Sequence, residues 1–120
     1  MASGSPQEPF RRISVAEARK MLDRGNVQLI DVREPHEYTA AHISGSVLIP
    51  VNQVFGRIAE VAADRDVIFH CAVGVRSALA CEMAAAMGRT RCYNMEGGMD
   101  AWKSGELPYE TGPYKGKASA

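Results

Sequence analysis

No stretch of this chain is both long and apolar enough to span a bilayer. Neither sign of charge dominates: fourteen Lys and Arg balance fourteen Asp and Glu. That balance removes the electrostatic case for nucleic acid or an anionic membrane as a partner. Cysteine is scarce. Cys71, Cys81 and Cys92 are odd in number and irregular in spacing, which suggests neither a disulfide framework nor a zinc site. No metal or other cofactor is expected. The opening residues carry no basic segment followed by an apolar one, so no secretory signal is expected there, and free thiols in a reducing cytoplasm are the simplest expectation. What remains, 46% apolar and 23% charged over 120 residues, is the composition of one globular domain with a single core.

The chain then reads as strands alternating with helices. Residues 1–9, rich in Pro, Gly and Ser, are expected to be a flexible lead-in, 10–109 a domain, and 110–120 a flexible tail. Phe10 to Ile13 reads as a short edge strand. Ser14 and Glu17 have the spacing of a capping box that opens a helix ending at Gly25. Val27 to Val32 is apolar almost throughout, as in a strand covered on both faces. Pro35 can open a short helix. Ser46 to Ile49 reads as a strand ended by Pro50, and Asn52 to Ala63 as a helix weakened by Gly56. Arg91 to Glu96 is a further strand, broken by Gly97 and Gly98, and Met99 to Lys103 a short helix. This alternation predicts an α/β domain with a mostly parallel sheet, in which ligands bind at the carboxyl ends of the strands.

One stretch organises the rest, Asp66 to Ser77. Val67, Ile68 and Phe69 favour a buried strand, Cys71 to Arg76 form a tight loop around Gly74, and a helix is expected from Ser77. A cysteine at the tip of a buried strand, with a helix opening behind it, is set to be reactive. Loop N–H groups and the positive end of the helix dipole both favour a thiolate. Asp31, Arg33 and Glu96 fall at other predicted strand ends, where they would surround it. His70 directly precedes the cysteine, but strand alternation turns its side chain to the opposite face.

Four segments, in order, resemble the single-domain rhodaneses, a family of sulfurtransferases. They are Leu29-Ile-Asp-Val-Arg-Glu34, His42-Ile-Ser-Gly-Ser-Val-Leu-Ile-Pro50, His70-Cys-Ala-Val-Gly-Val-Arg-Ser77 and Met95-Glu-Gly-Gly-Met-Asp-Ala-Trp102, the last followed by Gly105-Glu-Leu-Pro108. The resemblance implies a rhodanese-like sheet of about five strands flanked by helices on both faces. It also implies a cysteine, Cys71, that carries sulfane sulfur as a persulfide. Ala72, Val73, Gly74, Val75, Arg76 and Ser77 would form the loop that holds the persulfide. Asp31, Arg33 and Glu96 would support the site, the first two as a hydrogen-bonded pair.

Such transfer is two nucleophilic displacements, from a sulfane donor to Cys71 and from Cys71 to an acceptor such as cyanide or a thiol. A partner protein could also deliver or accept the sulfur, in which case the domain is a carrier or docking module. A cysteine phosphatase is the remaining alternative. Phosphatases with an anion cradle, including those of the same fold, carry Cys-X5-Arg, whereas Cys71 to Arg76 is Cys-X4-Arg, a smaller cradle suited to one sulfur atom. Family members that prefer thiosulfate often have a basic residue just after the cysteine. Ala72 and Val73 stand there instead, so a thiol or protein persulfide is at least as good an expectation for the donor. Arg76 is expected to add a fixed positive charge to the anion site and to bond an anionic donor, with an ion pair that braces the loop as its bland alternative. The other bland expectations are that His42 is a structural turn residue, that Cys81, Cys92, Met83, Met87, Met95, Met99 and Trp102 pack the core, and that Glu96-Gly97-Gly98 is a close-approach turn. Glu34 and Tyr38 are candidates for the rim.

Overall fold

The apolar runs become five strands, β1 (Arg11–Ile13), β2 (Val27–Asp31), β3 (Val47–Leu48), β4 (Asp66–His70) and β5 (Cys92–Met95). In the computed structural model, which describes residues 8–116, they form one sheet in the order β1-β5-β4-β2-β3, with every pairing parallel. Four helices accompany them: α1 (Val15–Arg24), α2 (Pro35–Ala40) and α3 (Val75–Ala86) between strands, and α4 (Gly98–Ser104) after the last strand. The central strands β2 and β4 pair from Val27 with Asp66 to Asp31 with His70. Their carboxyl ends are therefore level, and the residues that follow them share one rim of the sheet.

Strand alternation splits the core in two. Ile30, Val67 and Phe69 pack with Ala80, Cys81 and Ala84 of α3, and Cys71 belongs to the same cluster. Leu29, Ile68 and Met95 pack on the opposite face with Ala18 of α1 and Met99 and Trp102 of α4. Helices on both faces are what the continuous apolarity of β2 requires.

Local signals set the helix ends. Ser14 Oγ accepts from the Glu17 N–H at 3.0 Å while the Glu17 carboxylate accepts from the Ser14 N–H at 2.7 Å, so the expected capping box opens α1. Gly25 ends it. Helix α3 starts at Val75 rather than Ser77, because Gly74 at φ 111° already turns the chain into its first turn.

The helix expected over Asn52 to Ala63 is replaced by two short 3-10 turns, Val51–Gln53 and Ile58–Glu60. Side chains from elsewhere cap carbonyls of this segment. Arg89 donates to the carbonyls of Ile58 and Val61 at 2.9 and 2.8 Å, and Gln28 Nε2 donates to that of Glu60 at 2.7 Å. Gly56 adds no helix preference to oppose them.

The segment expected to be a free tail from residue 110 is instead fastened down. His42 and Glu110 exchange both backbone hydrogen bonds at 2.8 Å, and the Gly112 N–H donates to the Thr39 carbonyl at 2.9 Å. Tyr114 packs edge-on against Tyr38. Composition missed this because the contacts are mostly backbone, joined by one aromatic edge and a Glu110 carboxylate 3.5 Å from His42 Nε2. Residues 1–7 of the expected lead-in and 117–120 of the expected tail lie outside the described residues. No helix among the described residues is long and apolar enough to cross a membrane.

Candidate active site

Cys71 leaves the end of β4 with 1% of its surface exposed, and its sulfur faces the turn that starts α3. The Gly74 N–H donates to Sγ at 3.1 Å, and Ser77 Oγ lies 3.4 Å from it. Burial is the largest single influence on this thiol and disfavours the thiolate. The Ser77 hydroxyl and the backbone N–H groups of Ser77, Gly74 and Val73 together outweigh it, so Cys71 titrates below an ordinary cysteine.

The Ser77 hydroxyl has two claims on one proton. Its Oγ also lies 2.6 Å from Asn94 Oδ1 on β5. With Cys71 protonated, the order is thiol to Ser77 to Asn94. With Cys71 ionised, the hydroxyl turns its proton to sulfur. Asn94 Nδ2 donates to the Gly74 carbonyl at 3.1 Å, which fixes the amide and ties β5 to the loop.

Helix α4 closes the loop from the far side. The N–H groups of Met99 and Asp100 donate to the carbonyls of Cys71 and Ala72 at 2.8 and 3.0 Å. This requires Gly98, at φ 56°: a Cβ there would lie 2.3 Å from the Cys71 oxygen and 2.7 Å from Ala72 carbonyl atoms. Gly97 and Gly98 are thus the close-approach turn their sequence suggested.

Arg76, the only charged residue of the loop, forms a two-pronged ion pair with Glu37 of α2, at 2.8 and 3.0 Å. This pair holds the Glu37 carboxyl down to about 2. Helix α2 is itself anchored by the Asp31–Arg33 pair, which forms as expected. The Arg33 guanidinium donates to both Asp31 oxygens, at 2.9 and 2.7 Å, and also to the Ala41 carbonyl at 2.7 Å. Both side chains are almost fully buried. The pair acts on the site through α2, by placing Glu37 against Arg76, and its Asp31 also faces His70, whose Nδ1 lies 3.4 Å from the Cys71 carbonyl oxygen.

The remaining expected residues fall around this core of contacts. The Glu96 carboxylate points outward to Arg12 at 2.7 Å. The same oxygen accepts from Asn94 Nδ2 at 3.3 Å, so the carboxylate supports the site through Asn94, and its Cα lies 3.9 Å from where a Gly74 Cβ would stand. Val73 and Val75 are 56% and 74% exposed at the mouth. Tyr38 does not line the rim: it is buried, with its ring stacked on His42 at 3.9 Å. His42 is the structural turn residue expected. Met87, expected in the core, is exposed. His70 is fully buried on the face opposite Cys71, with Nε2 3.7 Å from Asp31 and without a hydrogen-bond partner; burial pushes its imidazolium form down. Among the described residues no group of His, Cys, Asp and Glu could hold a metal.

Two residues of the site escaped the sequence, Glu37 and Asn94. Glu37 carried a signal only for its other role. It stands three residues after Glu34 and accepts that residue's N–H at 2.9 Å as the capping partner of α2.

The rhodanese-like domain family model matches residues 14–105. A helix-turn-helix-type transcriptional regulator of Mycobacterium tuberculosis, Rv0324, is 35% identical over 111 residues, which is 91% of this chain and 47% of that one. The chain thus spans about half the length of that curated relative. The thiosulfate sulfurtransferase GlpE of Pseudoalteromonas translucida is 32% identical over 95 residues, covering 79% of this chain and 90% of that one. Among solved structures, the human single-domain sulfurtransferase TSTD1 superposes with a TM-score of 0.70 at 26% identity, covering 84% of this chain and 97% of that one. With the parallel sheet, the cysteine at the end of β4 and the match over 14–105, the chain belongs to the rhodanese-like domain family.

Proposed function

We propose that the protein is a sulfurtransferase in which Cys71 carries sulfane sulfur as a persulfide. The observation that carries this reading is the cradle around Cys71 Sγ, with Gly74 N–H at 3.1 Å and Ser77 Oγ at 3.4 Å, which favours a thiolate in a buried loop. In the first half-reaction the thiolate attacks the outer sulfur of a donor. The Cys71–sulfur bond forms, the donor's sulfur–sulfur bond breaks, and its electron pair leaves with the remnant. In the second, cyanide or a thiol attacks the outer persulfide sulfur and the electron pair returns to Cys71. The loop N–H groups hold negative charge on sulfur in both halves, and Ser77 follows it by rotating its hydroxyl.

Against a phosphatase reading, Arg76 is already engaged by Glu37, and Gly74 and Ser77 serve the sulfur atom itself. A second reading, a persulfide carrier served by a partner protein, draws on the apolar exposure of Val73, Val75 and Leu79.

Incubation with a sulfane donor followed by intact mass measurement tests the proposal. The expected result is a gain of one sulfur atom, removed by cyanide and absent in Cys71→Ser. No gain from thiosulfate or from glutathione persulfide overturns it. Fast turnover with a small donor and no partner removes the carrier reading.

A further inference from the structure

We infer that Glu37 sets the donor class: by neutralising Arg76 it makes the site select a sulfane donor bearing at most one negative charge over a dianion such as thiosulfate. The inference rests on Cys71 as the sulfur carrier and concerns what loads it. Ala72, Val73, Gly74 and Val75 of the loop carry no charge, so Arg76 is its sole cation. Glu37 meets that cation with both oxygens, at 2.8 and 3.0 Å. Glu37 is held from its other side by the Glu34 N–H at 2.9 Å, and α2 by Arg33 on the Ala41 carbonyl. The ion pair is thus built in from two directions rather than being a chance surface contact.

Its effect on an incoming donor is electrostatic. A dianion approaching Cys71 meets an Arg76 charge matched by the Glu37 charge, and must also come up to a thiolate of its own sign. The pair is partly buried, with side chains 34% and 25% exposed, so its charges are screened less than those of a fully exposed pair. Val73 and Val75 at the mouth offer apolar surface and no donor to a second oxyanion. They suit a donor whose substituent is apolar. Glu37 is a positioning and specificity residue and takes no part in the bond changes.

Two donors separate charge from chemistry. Thiosulfate and methanethiosulfonate present the same terminal sulfur on a tetrahedral sulfonyl sulfur and differ by a methyl group in place of one oxyanion. Cys71 attack on the terminal sulfur releases sulfite from the first and methanesulfinate from the second, each taking the electron pair of the broken sulfur–sulfur bond. Persulfide loading rates are measured with both donors for the wild type, Glu37→Gln and Arg76→Gln. In Glu37→Gln, Arg76 is left uncompensated, and the thiosulfate-to-methanethiosulfonate rate ratio should rise about three- to tenfold. In Arg76→Gln, Glu37 is left uncompensated, and the ratio should fall by a similar factor. Both shifts should shrink as salt is added.

Damage to the fold would slow both donors together and leave the ratio unmoved. A ratio that is constant across the three proteins, or that moves the same way in both variants, overturns the inference while leaving Cys71 as the carrier. No loading of the wild type by either donor overturns both.

Discussion

Cys71 and Cys81 lie on the same side of the sheet, ten positions apart in sequence, and both are essentially inaccessible, at 1% and 0% exposure. They nevertheless titrate in opposite directions. Burial pushes the Cys81 thiol far up, and the Arg12 charge opposes it only weakly. Cys92, at 2% exposure, is pushed up to about 11, and its Sγ points at the Arg89 carbonyl, an acceptor that suits only the thiol. Around Cys71 the neighbours are donors. Exposure therefore does not separate a reactive cysteine from a packing one in this fold; the sign of the hydrogen-bonding groups around the sulfur does.

The contrast can be broken in several ways. The largest effect belongs to the nucleophile. Cys71→Ser should lower sulfur transfer by at least about a thousandfold, while Cys81→Ser and Cys92→Ser keep it, as read by release of thiocyanate from cyanide. Loss of transfer in either core variant with the fold intact would erase the distinction.

Next is the wall of the cradle. Gly98→Ala puts a methyl group within 2.3 Å of the Cys71 oxygen and 2.7 Å of Ala72, backbone atoms that cannot step aside without opening the loop. It should cost about 2–4 kcal/mol in urea unfolding and lower transfer sharply. Gly25→Ala, which shares a positive φ but meets nothing within 4 Å, isolates the conformational part and should cost about 1 kcal/mol.

Ser77→Ala sharpens the comparison without removing the nucleophile. It takes away the hydroxyl that turns to the thiolate and leaves the Gly74 N–H in place. The Cys71 pKa should rise, and alkylation of Cys71 at neutral pH should slow about three- to tenfold.

The smallest effect is on acid stability. The Glu37 carboxyl sits at about 2 in the fold against an ordinary 4.5, because Arg76 bonds its ionised form. The protein therefore gains stability from Glu37 that is complete above the ordinary value and is lost as pH falls from 4.5 to about 2. For this partly exposed pair, about 1 kcal/mol is expected after screening. Glu37→Gln should be less stable by that amount at neutral pH and equal to the wild type near pH 2, where the wild-type difference has titrated away.

Much of this architecture could be read in the chain. The capping box at Ser14 and Glu17, the apolar β2 and β4, and the turn at Gly74 are local signals that fix the structure near themselves, while Gly97-Gly98 announces a close approach without naming its partners, Cys71 and Ala72. Asp31 and Arg33 are two residues apart, so their pairing was also within reach. Glu37 and Asn94 were not, because their partners Arg76 and Ser77 lie 39 and 17 residues away and meet them only once α2 and β5 are docked. The failed helix after Pro50 has the same origin: Arg89, 28 residues on from Val61, takes the carbonyl there. The fastening of His42 to Glu110 is a backbone pairing, and side-chain composition carries no sign of it.

Site-resolved alkylation of the intact protein across pH puts the three cysteines side by side in one experiment. Cys71 should react along a titration curve with a midpoint below that of free cysteine, while Cys81 and Cys92 remain unmodified throughout the range in which the fold persists. A Cys71 midpoint at or above that of free cysteine, with the fold intact, would mean that the donors around its sulfur do not outweigh burial, and the cradle would then be no more than a turn.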